Sequence, residues 1–161
     1  MNEKELFIYD DQLCRMLGLL EEYYETILFT RRGVIRYRDL TEEDKPQNCL
    51  REPRSSFPAK SFLLPARERV AEYGTGVKRT GEVSVPGMRK PPALVNLRSC
   101  DVEAMAILDQ IFLEGEFIDP CYQERRDSLL VVSVDCVSIT DFCFCHMLGY
   151  QPFVGKSVGL N

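Results

Sequence analysis

Apolar positions along this chain change rhythm several times, and each change predicts a different element. After Asp10, the residues Leu13, Met16, Leu17, Leu20 and Tyr24 recur at helical spacing, which predicts an amphipathic helix that Asp10 can cap. Glu25 to Thr30 and Val34 to Arg38 read as two short strands around a hairpin-like turn at Arg31-Arg32-Gly33. From Thr41 to Pro58 the chain is polar, charged and proline-bearing, so a loop is expected. Phe62-Leu63-Leu64-Pro65 is a short apolar insertion, and a brief helical stretch is expected from Arg67 to Tyr73. Residues 74–92, rich in glycine, proline and basic side chains, read as a second long loop.

The second half has a clearer pattern. Ala93 to Leu97 predicts a strand, and Asp101 to Leu113 a helix with Ala104, Ile107, Leu108, Ile111 and Phe112 on its apolar face. Ser99 or Asp101 can cap that helix, and acid in its first turn suits the helix dipole. Ser128 to Val134 is apolar except at Ser133, as expected of a strand covered on both faces. Strand, helix and strand with so long a connection imply a parallel pair and a right-handed crossover. The expected fold class is therefore α/β: a small, mainly parallel sheet flanked by helices and fed by an N-terminal helix and hairpin.

Length and charge narrow the function. With 161 residues and 45% hydrophobic content, residues 1–161 are expected to form a single domain. A net charge of −5 argues against a nucleic-acid surface, which needs clustered lysine and arginine. The pairs Arg31-Arg32 and Arg125-Arg126 are read as solvated surface. No apolar run approaches the roughly 20 residues that a bilayer requires, and the first residues lack the pattern of a signal peptide. A cytoplasmic location is expected, where seven cysteines would be thiols or ligands rather than disulfides.

Four of those cysteines hold the candidate chemistry. Cys100 follows the carboxyl end of the first predicted strand and Cys136 that of the second, and in a parallel sheet these ends share one edge. The next loop carries Cys143-Phe144-Cys145 and His146. Four thiolates can hold an iron–sulfur cluster. Alternatively, Cys136, Cys143, Cys145 and His146 would suit a closed zinc site. A buried cysteine can also be simply a small apolar residue, and Cys-x-Cys departs from the common Cys-x-x-Cys ferredoxin spacing. Cys14, Cys49 and Cys121 are read as structural. A glycine-rich nucleotide loop and the Cys-x-x-Cys-His haem motif are both absent.

Several ordered motifs point further. Lys60 to Glu68 reads Lys-Ser-Phe-Leu-Leu-Pro-Ala-Arg-Glu; Arg98-Ser99-Cys100-Asp101 leads into Ile107-Leu108-Asp109; Tyr122-Gln123-Glu124-Arg125-Arg126, Cys136 and Cys143-Phe144-Cys145 follow. In order and spacing this set resembles the family of soluble hydrogenase/sulfur reductase beta subunits and anaerobic sulfite reductase A subunits, from about Asp10 onward. The resemblance implies a non-catalytic domain of a cytoplasmic, anaerobic redox complex. Its partners would be subunits on the flavin or ferredoxin side and a terminal catalytic subunit. Family members continue into a ferredoxin-like half with runs of Cys-x-x-Cys-x-x-Cys holding 4Fe-4S clusters; this chain has none, so it is expected to correspond to the N-terminal domain alone. Lys60, Arg67 and Arg98 are candidate contacts for an anionic cofactor or partner, although a surface ion pair is the blander reading of the first two. Asp101 and Asp109 are expected to be cap and helix-surface residues.

Overall fold

Runs of Leu, Ile and Val that alternate in side bury themselves on both faces of one sheet. The computed structural model describes residues 10–41, 55–67 and 89–154. Within them the order is helix α1 (Asp10–Tyr23), strands β1 (Glu25–Thr30), β2 (Gly33–Arg36) and β3 (Pro92–Leu97), helices α2 (Ser99–Phe112) and α3 (Pro120–Ser128), and strand β4 (Leu130–Ser133). The sheet runs β2-β1-β3-β4, with β1 antiparallel to β2 and parallel to β3, and β3 parallel to β4. This is the mainly parallel α/β arrangement that the pattern predicts. The second strand stops at Arg36, and Tyr37–Asp39 forms a 3₁₀ turn instead. The expectations for residues 42–54 and 68–88, including Cys49, Glu68 and the helical stretch beyond Arg67, fall outside the described residues.

The two inner strands are buried along their whole length. Leu28 and Val95 face α1 through Leu17, while Ile27, Phe29 and Leu94 face the larger cluster of Val102, Met105, Tyr122, Phe62 and Leu63. Period-two alternation accounts for this split. Leu97 should by parity face α1, yet it packs with Leu94. The cause is Asn96, which lies in the left-handed region at φ 73° and interrupts the β3–β4 register between Val95 and Leu97. Such a bulge inserts one residue and resets the alternation. Asparagine tolerates this backbone better than a β-branched residue does, and its Nδ2 donates to the Phe29 carbonyl at 2.6 Å.

Three readings of the second half need correction. Strand β4 is half-buried rather than covered, because it is an edge strand with only β3 beside it. On α2, Val102 and Met105 face the core with Leu108 and Phe112 beside them, while Ala104, Ile107 and Ile111 point outward. The helix carries two apolar stripes, and its start at Ser99 with Arg98 as cap selects the one facing the sheet. Asp101 does support this start, its Oδ2 accepting from the Arg98 N–H at 3.2 Å. Helix α3 was not expected, because its surface is charged. Its signal was nonetheless present: Asp119 accepts from the Cys121 and Tyr122 N–H groups, and Pro120 occupies the first turn.

Arg125 and Arg126 are not solvated. Arg125 is buried and its Nε donates to the Leu63 carbonyl at 2.7 Å. Arg126 Nε pairs with Asp109 at 3.0 Å, and Tyr122 Oη donates to the same carboxylate at 2.7 Å. Asp109 therefore joins α2 to α3 rather than lying on the surface. A buried acid, Glu25, is held by Arg36 at 3.0 Å and Arg38 at 2.9 Å, which fastens the hairpin. Among the described residues no helix is long and apolar enough to cross a membrane.

Two outcomes are expected. Asn96→Val should cost about 3 kcal/mol in chemical denaturation, summing left-handed strain and a lost buried hydrogen bond, whereas Asn96→Gly should cost clearly less. The Tyr122 hydroxyl is held well above the ordinary tyrosine value by burial, then by its hydrogen bond to Asp109 and that residue's charge, with Arg126 opposing. A folded value above the unfolded one, about 10, means that this contribution is intact below that pH and is lost as pH rises further. Ultraviolet titration should show one tyrosine that ionises only as the protein unfolds, and Tyr122→Phe should abolish that fraction.

Candidate functional site

The carboxyl ends of β3 and β4 deliver two cysteines to one edge because parallel neighbours run in the same direction. From β3 the chain passes through Arg98 and Ser99 to Cys100 in the first turn of α2. From β4 it continues, with the Val134 N–H donating to the Leu97 carbonyl at 2.8 Å, to Cys136. Arg98 ties the two exits together. Buried at 3% exposure, it caps α2, and its Nη1 donates to the Asp135 carbonyl at 2.9 Å.

The segment after Cys136 loops out and returns over this edge. Ser99 Oγ donates to the Gln151 carbonyl at 2.7 Å, and the Cys136 N–H donates to the Pro152 carbonyl at 2.8 Å. Between these anchors the Thr140 N–H donates to Cys143 Sγ at 3.3 Å, and the Cys143 N–H donates back to the Thr140 carbonyl at 3.0 Å. Cys145–Leu148 forms a 3₁₀ turn that ends at Gly149, whose φ of 77° suits glycine. The Tyr150 N–H then closes on the Cys145 carbonyl.

These segments enclose a cavity of about 80 Å³ lined by Cys100, Cys136, Cys143 and Cys145. Arg98 and Ser99 also line it, and Val137, Ile139, Phe142 and Phe144 supply apolar lining. Burial raises the Cys136 thiol value above normal. The Arg98 charge and the Ser99 N–H pull the other way, and the neighbouring Cys145 and Cys143 add to the rise. All four thiols are half-buried and unbridged.

Other sequence candidates lie elsewhere. His146 is exposed and does not line the cavity, and neither do Lys60 and Arg67, which are exposed on a separate segment. Arg98 does line it, but with its guanidinium engaged by the β4 exit. Cys14 lies on α1, where its carbonyl accepts from Tyr37 Oη, and Cys121 lies in the first turn of α3. Sequence reasoning missed the anchoring role of Ser99 and the Thr140 bond to Cys143. A serine between a strand end and a helix, and a Thr-x-x-Cys turn, were the available signals.

Donor chemistry and geometry can be compared directly. Four thiols are the donor set of an iron–sulfur cluster. Among the described residues, however, no three Cys, His, Asp or Glu side chains stand close enough to hold a metal ion as placed. The four thiols share a cavity without converging on one point.

Fold and site together define an α/β domain that gathers thiols at the carboxyl edge of a mainly parallel sheet. Over 96 residues the chain is 29% identical to the sulfhydrogenase 2 subunit beta of Pyrococcus furiosus, a match covering 60% of this chain and 27% of that protein. The chain thus spans about a quarter of the length of this curated relative. The match supports a distant, family-level relationship to a sulfhydrogenase beta subunit. No protein-family model matches the chain, and no solved structure does.

Ser99→Ala should cost about 1 kcal/mol, the net worth of a hydrogen bond, with its larger effect local. Hydrogen exchange at the Cys136 amide should accelerate more than at the β1 and β3 amides. Equal acceleration throughout would show that Ser99 supports the whole fold rather than this loop.

Proposed function

We propose that this chain is an electron-transfer or assembly domain of an anaerobic, cytoplasmic oxidoreductase complex of the hydrogenase/sulfur or sulfite reductase type. It has no catalytic centre of its own in this reading. The observation that carries the proposal is the shared lining of one cavity by Cys100, Cys136, Cys143 and Cys145. The distant relationship to a sulfhydrogenase subunit supports it.

In this reading the four cysteines hold one iron–sulfur cluster, which supplies one-electron chemistry when bound. Cys100 and Cys136 are set by strand and helix ends, whereas Cys143 and Cys145 belong to the loop and provide the adjustment that convergence requires. The Arg98 guanidinium offsets part of the rise that burial gives the Cys136 thiol, and Cys100 stands in the first turn of α2. Val137, Ile139 and Phe142 are largely exposed around the mouth. They would be covered by an adjoining subunit, on the flavin or ferredoxin side or the terminal catalytic side, which would also exclude water. Lys60 and Arg67, away from the cavity, fit partner contacts better than cofactor contacts.

The small cavity favours a second reading, a single zinc ion that stabilises an interaction domain. Its ligands would be Cys136, Cys143 and Cys145 with Cys100, or with His146 after a rearrangement of the 3₁₀ turn. Anaerobic purification followed by iron, sulfide and zinc analysis separates the two readings from a metal-free domain. For the cluster, iron and acid-labile sulfide should be found in near-equal amounts. Cys100→Ser and Cys136→Ser should remove the metal and lower the melting temperature, since metal binding adds to folding free energy. Cys14→Ser, Cys49→Ser and Cys121→Ser should leave metal content unchanged. Preparations free of both metals, and unable to take them up anaerobically, would refute both metal readings.

A further inference from the structure

At the far end of α2 from Cys100 lies a surface that the thiol cavity does not use. Cys100 and Ile111 are eleven positions apart, about 16 Å along the helix axis at 1.5 Å per residue. Ile107 is 46% exposed and Ile111 63%, one turn apart on the outward stripe that begins at Ala104. Beyond the helix, Phe117 is 86% exposed and Ile118 51%. The Asp119 N–H donates to the Phe112 carbonyl at 3.0 Å, which folds this turn back against the last turn of α2. The stripe and the turn thus both leave apolar side chains exposed near the end of α2.

Its charge is one-sided. Residues 99–119 contain Asp101, Glu103, Asp109, Glu114, Glu116 and Asp119 but no lysine or arginine. Three of these acids serve the fold: Asp101 and Asp119 cap helices, and Asp109 binds Arg126. Glu103, Glu114 and Glu116 have no ion pair among the described residues. Glu114 and Glu116 also follow the carboxyl end of α2, whose last turn has no basic residue. Carboxylates are unfavourable there because the helix dipole is already negative. The basic residues of the following helix do not relieve this: Arg125 and Arg126 are turned inward.

We propose that this face docks an amphipathic helix of a partner protein, with aliphatic anchors toward Ile107, Ile111 and Phe117 and lysine or arginine beside Glu114 and Glu116. Helical anchors at i, i+3, i+4 and i+7 match a stripe of this kind. Cations brought to the carboxyl end of α2 offset both the carboxylates and the dipole. A second copy of this chain would bring like charge to like charge, and an anionic membrane surface would be repelled. The inference is independent of any metal in the thiol cavity.

The test uses the full chain and three labelled synthetic helical peptides read by fluorescence anisotropy. One carries a leucine stripe with lysine flanks, one the same stripe with glutamate flanks, and one the lysine composition in scrambled order. The first should bind at least about tenfold tighter than the other two and weaken as salt rises. Ile111→Ser should reduce that binding by about tenfold, with an unchanged melting temperature because the side chain is exposed. Glu114→Lys with Glu116→Lys should reverse the preference toward the glutamate peptide. Equal binding of all three peptides, or indifference to both variants, would overturn the proposal. So would a dimer in sedimentation that Ile111→Ser dissociates, or tight binding to phosphatidylserine vesicles.

Discussion

Strand β3 is the constraint around which everything else is arranged. Its six residues are buried, it hydrogen-bonds to β1 on one side and β4 on the other, and both neighbours run parallel to it. A parallel neighbour cannot be reached by a tight turn, so each pairing forces a crossover connection. One of these connections contains α2 and α3, and they become the layer opposite α1. The same pairing aligns the carboxyl ends of β3 and β4, so a requirement of the fold is also what brings Cys100 and Cys136 to one edge.

Polar groups in this structure hold elements together where apolar packing alone would leave their relative position open. Asp109, Tyr122 and Arg126 join α2 to α3, with Phe112 and Tyr122 stacked beside them at 4.9 Å between ring centres. Arg125 reaches across to the Leu63 carbonyl, and Arg98 spans the exits of β3 and β4. Each of these side chains finds a partner of complementary geometry, and removal of one partner would leave the other unsatisfied. This explains why two arginines that read as solvated surface are instead tied down, Arg125 inside and Arg126 half-buried.

The thiol edge is built differently. Its fixed half rests on strand and helix ends, and its loop half is held by backbone hydrogen bonds at Pro152, Thr140 and Tyr150 and by the Ser99 hydroxyl. Few of its apolar side chains are covered: Ile139, Phe142 and Met147 lie largely in solvent. A loop held mainly by hydrogen bonds around a small cavity can adjust by small steps, as drawing four thiols onto one centre would require.

The sequence by itself determined α1, the four strands and α2 in their order, though not α3, because hydrophobic periodicity is local and survives without neighbours whereas α3 is charged on its surface. It also indicated which cysteines line one cavity, since strand–helix–strand connectivity sends Cys100 and Cys136 to one edge and the next loop carries Cys143 and Cys145. Only tertiary structure decided which of two apolar stripes on α2 meets the sheet, because Val102-Met105 and Ile107-Ile111 have the same spacing quality and packing chooses between them. It also decided that Arg125 is buried and Arg126 half-buried in an ion pair, since their partners, Leu63 and Asp109, lie 62 and 17 positions away. Asn96 shows the same limit: one polar residue in an apolar strand gives no local sign that it bends the chain, because the bulge exists only against β4.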